Sequence, residues 1–256
     1  MKAFLAFTKK ELIEQVRTSK LMVLALVFSL FGVMNPAVAK LTPWLLETLS
    51  ESMSESGMTI TVASVTALDS WAQFFKNVPM ALIVFVLLES GIFTREYRSG
   101  TLMLSLTKGL HRYKVILSKT VVLVLLWSLG FWLCFGITYG YNAYFWDNSV
   151  AHSLLFGTVA WWLFGMLVIS LTVLFSVLSQ GSTGVLLGTG GVVFLSYLLG
   201  IIPRIQKYLP TRLADGTSLI YGMEEPRSYL AAMVITAALT LVCLVASIPI
   251  FNKKQL

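Results

Sequence analysis

The sequence predicts an all-α integral membrane protein, in which an amphipathic N-terminal helix precedes six transmembrane helices and both termini lie on the cytoplasmic side. Three observations carry this. Of 256 residues, 57% are hydrophobic and only 12% charged, with a mean hydropathy of +0.80. That leaves too little polar surface to cover a water-soluble globule. Six segments reach or approach the roughly 20 apolar residues needed to cross a hydrocarbon core of about 30 Å. Lysines and arginines gather in alternate connections, as they do in cytoplasmic loops.

Residues 1–20 place Leu5, Leu12 and Val16 on one side of a helix, with Ile13 adjoining, so the segment is expected to lie at the membrane interface as an elbow. The apolar run that follows ends near Ala37, Val38 and Ala39, which imitates a cleavable signal, but Glu11 and Glu14 in the leader argue against one. The spans are expected at residues 21–39, 78–93, 115–141, 153–178, 184–202 and 229–251. The second is short and is allowed to begin near Phe74, and the third is long enough to tilt or to project. The polar stretch between the first two spans reads as an extracytoplasmic loop, in which residues 47–55 form either an amphipathic helix on the outer leaflet or irregular chain. Residues 94–114 form a polar cytoplasmic segment, and residues 203–228 an extracytoplasmic loop of mixed charge.

Thirteen of the nineteen cations share one side: Lys2, Lys9, Lys10, Arg17 and Lys20 before the first span, Arg95, Arg98, Lys108, Arg112, Lys114 and Lys119 around the segment after the second, and Lys253 and Lys254 at the end. Most acids lie opposite. The net charge of +7 therefore reflects orientation in a membrane and not affinity for nucleic acid.

Cys134 and Cys243 fall within spans, and His111 and His152 at span edges, with no spacing that implies a disulfide or a metal site. Glu89 is the one acid well inside a span, where a carboxylate has to be paired, protonated or wet. It suits a substrate route, or else a pairing with Arg95, about one and a half turns away, or solvation from the cytoplasm. Trp127, Phe131 and Trp132 are candidates for an apolar route, against the alternative of packing between helices. Gly184 and Gly188 give the fifth span the small-x3-small spacing that allows close helix approach. In the last loop Ile205, Tyr208, Leu209 and Leu213 offer an apolar face, which suits a folded surface cap. No G-x4-G-K-[ST] loop or Rossmann glycine pattern occurs, so no ATP hydrolysis is expected on this chain.

The segment Arg95, Glu96, Tyr97, Arg98, Ser99, Gly100, Thr101, Leu102 is the most distinctive in the sequence. Glu96 stands four residues before Gly100-Thr101-Leu102, and Leu104, Leu106, Arg112, Ile116 and Lys119 follow in register. This closely resembles the type-2 permeases of ABC transporters, whose segment runs E-x3-G-T-L, then leucines, a proline, an Arg, and a Lys at the next span. Gly109 stands here at the proline position. Lys10, Glu11 and Arg17 resemble the K-E-x5-R pattern of that family's elbow helix. The resemblance implies a permease subunit in the inner membrane of a prokaryote, an exporter of a hydrophobic or amphipathic substrate such as a peptide, lipid-linked compound or drug. It further implies two separate ATP-binding cassettes carrying ATP and Mg, and a second permease subunit, identical or related. Residues 95–106, with Arg112 and Lys119, would contact the ATPase and carry its motion into the second and third spans. In the last loop the resemblance implies short helices dipping into the outer leaflet through the face of Ile205, Tyr208, Leu209 and Leu213, against the alternative of a folded surface cap. A gradient-driven transporter served by Glu89, and a membrane-anchored immunity or assembly factor, remain as alternatives.

Overall fold

A computed structural model describes residues 2–53, 65–107 and 111–254. Among them there are α-helices and short 3₁₀ turns but no strand. Six helices are long and apolar enough to cross a membrane. The elbow is α1 (Lys2–Arg17), and the spans are α2 (Lys20–Met53), α3 (Ala67–Glu89), α6 (Arg112–Phe145), α7 (Leu154–Leu178), α8 (Ser182–Leu199) and α11 (Leu230–Lys253). Two short helices, α4 (Thr94–Ser99) and α5 (Thr101–Thr107), join α3 to α6, while α9 (Pro203–Gln206) and α10 (Gly216–Ile220) lie between α8 and α11. An even number of spans brings both ends of the chain, α1, α4 and α5 to one end of the bundle, the charged end. The other is the capped end.

Two boundaries differ from the sequence reading. The first span does not end at residue 39: α2 runs on through Pro36 and Pro43 to Met53. At 34 residues it is about 51 Å long at 1.5 Å per residue, so it projects well past a bilayer. The second span begins at Ala67 and not at residue 78. Asp69, Ser70 and Gln73 lower the apparent hydrophobicity there, yet Ser70 and Trp71 are wholly buried. Asp69 accepts from the Thr66 N–H at 2.9 Å and starts the helix, and the Trp71 indole donates to Asn148 at 3.0 Å.

The centre of the bundle is aromatic. Trp127 of α6 meets Phe28 of α2 and Phe85 of α3 edge-on, at 5.9 and 5.7 Å between ring centroids. It lies so close to α7 that a Cβ on Gly165 would come 2.2 Å from its ring. A bare glycine is what lets these two helices approach. Toward the capped end Trp71, Phe74, Phe131 and Phe135 form a second layer. Beside it the amide of Asn77 donates to Asn35, Asn35 to Thr138, and Thr138 to the carbonyl of Gly32, a buried chain that ties α2, α3 and α6 together. α7 is the most enclosed span, whereas α8 and α11 turn most of their surface outward. α8 rests on α7 through Gly188, where a Cβ would collide with the Phe175 ring at 2.3 Å, while Gly184 faces the Ser179 hydroxyl at the preceding turn.

The capped end is closed by residues 200–229. The Trp161 indole of α7 donates to the carbonyl of Ala214 at 2.8 Å, the Tyr229 hydroxyl to that of Asp215 at 3.0 Å, and Gly216 is packed against the Phe75 ring. Leu213, Leu219 and Ile220 are buried under this lid. Of the apolar face expected here only Leu213 is inside, and Ile205 and Tyr208 stay exposed.

Candidate functional site

At the charged end five ionic side chains from three separate stretches of sequence converge. Lys119, in the second turn of α6, is 1% exposed. Its ammonium lies 2.7 Å from Glu11 of α1 and 3.0 Å from Glu96 of α4, and donates to the carbonyl of Ile92 at 3.0 Å. Lys10, half-exposed on the rim, pairs with Glu11 and Glu14 at 3.0 Å each and closes the ring on Glu96. Burial works against the Lys10 charge, but Glu96 and Glu11 outweigh it and hold the ammonium well above the usual lysine range. The carboxylates of Glu11, Glu14 and Glu96 lie within 4.8 Å of one another. The two ammonium groups already occupy the space among them, so a divalent ion would have to displace both.

One turn deeper there is a second buried pair. Glu89, the last residue of α3, is fully enclosed and accepts from Lys20 at 3.1 Å and from the Gln15 amide at 2.9 Å. It does not pair with Arg95 as its spacing suggested. The chain leaves helical geometry after Glu89, and Arg95 turns outward, so the count of one and a half turns does not apply. Glu89 is thus a tie between α3 and the elbow.

The elbow itself is inverted relative to a surface helix. Its buried side carries Phe7, Glu11 and Gln15, and its exposed side Leu5, Leu12, Ile13 and Val16. The polar stripe docks on the bundle, and the apolar stripe is left for the membrane interface.

α4 is the hub of this end. Thr94 shares a 2.9 Å hydrogen bond with Ser182 at the start of α8. Glu96 holds Lys119 and Lys10. The Tyr97 ring lies 6.5 Å from that of Phe251 at the end of α11, and the Lys254 ammonium sits 4.2 Å over it. Lys254 also donates to the carbonyls of Val177 and Ser179 at 2.7 and 2.8 Å, satisfying the end of α7. Arg112 does the same for α11, donating to Phe251, Asn252 and Lys254 at 2.8, 3.2 and 2.7 Å. A single helical turn therefore touches α1, α6, α8 and α11.

The sequence-predicted residues divide accordingly. Arg95, Ser99, Gly100 and Thr101 are exposed, Leu102 is buried on the inner side of α5, and Glu96 and Lys119 are turned inward onto their own chain. Gly100 has φ +68° and ψ 0°, a left-handed conformation that ends α4 and lets α5 begin at once. The side chains of Arg98, Leu104 and Leu106, and Gly109 at the expected turn, lie outside the described residues. Trp127 and Phe131 are fully buried in the aromatic core, away from Glu89, and Trp132 is partly exposed on the bundle surface. Three of these four are in ring contact, Trp127 with Phe131 and Phe131 with Trp132 at 5.3 and 5.7 Å between centroids, while Glu89 is held by Lys20 and Gln15.

The sequence of residues 5–219 matches the family described as ABC-2 family transporter protein. The chain belongs to the ABC-2 transporter family. No curated protein matches it. Membership makes it a multi-pass permease that works with an ATP-binding partner. The parts of this permease that sequence reasoning underused are Lys10, Glu11, Gln15 and Lys20. Each stood in a recognisable elbow, but nothing in a linear reading shows that their polar stripe faces α3, α4 and α6.

Proposed function

We propose that this permease is an exporter subunit for a hydrophobic or amphipathic substrate, driven by cassette ATPases that dock on α4 and α5 from the cytoplasm. The observation that carries the reading is the position of α4, an exposed turn whose opposite side is fixed to four other helices. The gathering of Lys and Arg at the charged end supports a cytoplasmic location for it. Arg95, Ser99, Gly100 and Thr101 present the docking face. Displacement of that face by closure of an ATP-bound cassette pair moves α1 and α6 through Glu96, α8 through Thr94 and α11 through Tyr97. ATP and Mg reside on the partner, and two permease chains form the complex. Glu96 transmits force inside the permease and does not itself touch the ATPase.

The test is co-purification with the ATPase and permease-stimulated ATP hydrolysis in nanodiscs for Arg95→Glu and Gly100→Leu. Arg95 is exposed, so its reversal leaves the fold intact and is expected to weaken binding. Gly100→Leu is expected to uncouple hydrolysis from transport. Parent-level binding and stimulation in both, with the proteins correctly inserted, would overturn the reading.

A further inference from the structure

Two cavities lie along one face of α8. The first, about 280 Å³, is almost wholly apolar and runs between α3 and α8, where Leu186, Thr189, Gly190 and Val193 form one wall and Leu82 and Val86 the other. The second, about 390 Å³, lies at the cap, between Tyr197 in the last turn of α8, Gly200 and Ile201 just beyond it, and the loop residues Gln206, Thr211, Arg212 and Asp215. At about 100° per residue, positions 186, 189, 190, 193 and 197 fall on a single stripe of the helix, and Gly200 and Ile201 follow just past its end. Val193 and Tyr197 are about one turn, or roughly 6 Å, apart along it. The apolar groove thus leads up to the polar cavity, which sits where a span of 18 residues, about 27 Å long, reaches the bilayer surface.

The upper cavity is lined by one cation and one anion, Arg212 and Asp215, among neutral donors. Arg212 is held in place by Glu224 and by the Tyr229 ring, 4.8 Å from its guanidinium carbon. Its Nε–H is nevertheless enclosed without an acceptor. The carboxylate of Asp215 keeps its charge but is engaged by the Ser218 N–H and hydroxyl at 3.2 and 2.7 Å. Gln206 and Thr211 add neutral donors, and Arg204 and Lys207, both exposed and within two residues of Gln206 in the chain, add positive charge to this segment.

We infer that this stripe of α8 binds a phospholipid of the surrounding bilayer, with the phosphodiester in the cavity beside Arg212 and an acyl chain in the groove beside Gly190. An acceptor-only, anionic headgroup complements the guanidinium and the donors, and one apolar chain suits a groove whose single enclosed polar group is the Thr189 hydroxyl. The site extends the transport reading but does not depend on it, since it is tested on the isolated permease without nucleotide.

The experiment uses delipidated full-length permease in detergent and follows its thermal unfolding with dioctanoyl phosphatidylglycerol, dioctanoylglycerol or inorganic phosphate. The phospholipid is expected to raise the unfolding temperature saturably, and the other two not to. Gln206→Glu places an anion at the mouth on an exposed residue. Gly190→Phe fills the groove from a position where a Cβ meets nothing within 4 Å. Each is expected to raise the half-saturating concentration about tenfold or more, with little change in the ligand-free unfolding temperature. Equal stabilisation by dioctanoylglycerol, or a response untouched by both variants, would overturn the headgroup site. Displacement of the lipid by a transported amphiphile in the ATPase complex would show the site to be part of the substrate route and overturn its assignment to bilayer lipid.

Discussion

Lys119→Met is the most discriminating single change at the charged end. It keeps the length and the apolar stem of the side chain and deletes only the ammonium. In the parent that ammonium serves Glu11 and Glu96 at 2.7 and 3.0 Å, and all three residues are at most 6% exposed. Removing one partner of a buried pair leaves the other as an uncompensated charge, which costs about 3–5 kcal/mol. Lys10 remains, but it is about half-exposed, and an exposed pair returns at most about 1 kcal/mol. The expected net loss is therefore about 2–4 kcal/mol. The assay is reversible unfolding of the permease in mixed micelles, with Glu11→Gln as the partner in a double-mutant cycle. Neutralising Glu11 removes one of the stranded carboxylates, so the double variant is expected to be more stable than Lys119→Met alone, with a coupling energy of at least about 1 kcal/mol. A loss under about 1 kcal/mol for Lys119→Met, together with additive behaviour in the cycle, would show that water reaches the cluster and would refute the reasoning.

In the aromatic core, Gly165→Ala is expected to destabilise by about 1–3 kcal/mol through collision with Trp127, and to cost clearly less when introduced into a Trp127→Leu background, which is itself destabilised by the lost ring; unfolding of the two single variants and the double checks this. Arg112→Ala strips three carbonyls of their donor and is expected to raise amide exchange in the last turn of α11 well before the rest of the bundle, as hydrogen-exchange mass spectrometry would read. Thr94→Cys with Ser182→Cys, at positions whose hydroxyls are 2.9 Å apart, is expected to form a disulfide that fixes α4 to α8, and so to abolish ATP-driven transport while leaving ATPase binding intact, with recovery on reduction. The raised pKa of Lys10 means that its contribution is complete below the unfolded value and lost only as pH rises through the higher folded one. Stability is therefore expected to be flat from pH 7 to about 9 as far as this group is concerned, and a Lys10-dependent loss in that range, judged against Lys10→Met, would contradict the pairing.

Much of this was legible in the sequence, and for a physical reason: a bilayer imposes length, hydropathy and charge sorting on each span separately, so the six helices and the elbow are local properties. The register of Glu96, Gly100, Arg112 and Lys119 was legible for a different reason, the resemblance of that segment to the type-2 permeases. What was not legible is which groups meet. Glu96 and Lys10 are 86 positions apart, and Glu89 and Lys20 are 69 apart. The pairing of Glu89 with Arg95 was the natural inference from helical spacing, and it failed because α3 ends at Glu89. The start of the second span was missed because polarity at Ser70 and Gln73 resembles a loop until Trp71 is seen buried against α6 and its turn. The polar stripe of α1 reads as the wet side of an interfacial helix, and only the buried carboxylates of Glu89 and Glu96 and the buried Lys119 beneath it explain why it faces in.

The arrangement around α4 has a directional consequence. With about 3.6 residues to a turn, Thr94, Glu96 and Tyr97 project within less than half of the helix circumference, while Arg95 and Ser99 fall close together on the other half. The fixed side and the exposed side are therefore nearly opposite. A load applied to the exposed face is directed through the helix axis into all of its fixed contacts at once, and has little leverage to roll α4 in place. The contacts also differ in kind. Glu96 meets Lys119 and Lys10 through ion pairs, whereas Tyr97 meets Phe251 through a tilted ring contact with centroids 6.5 Å apart. The positive φ at Gly100 places the break in the backbone immediately beyond this turn, so that α5 moves without unwinding it.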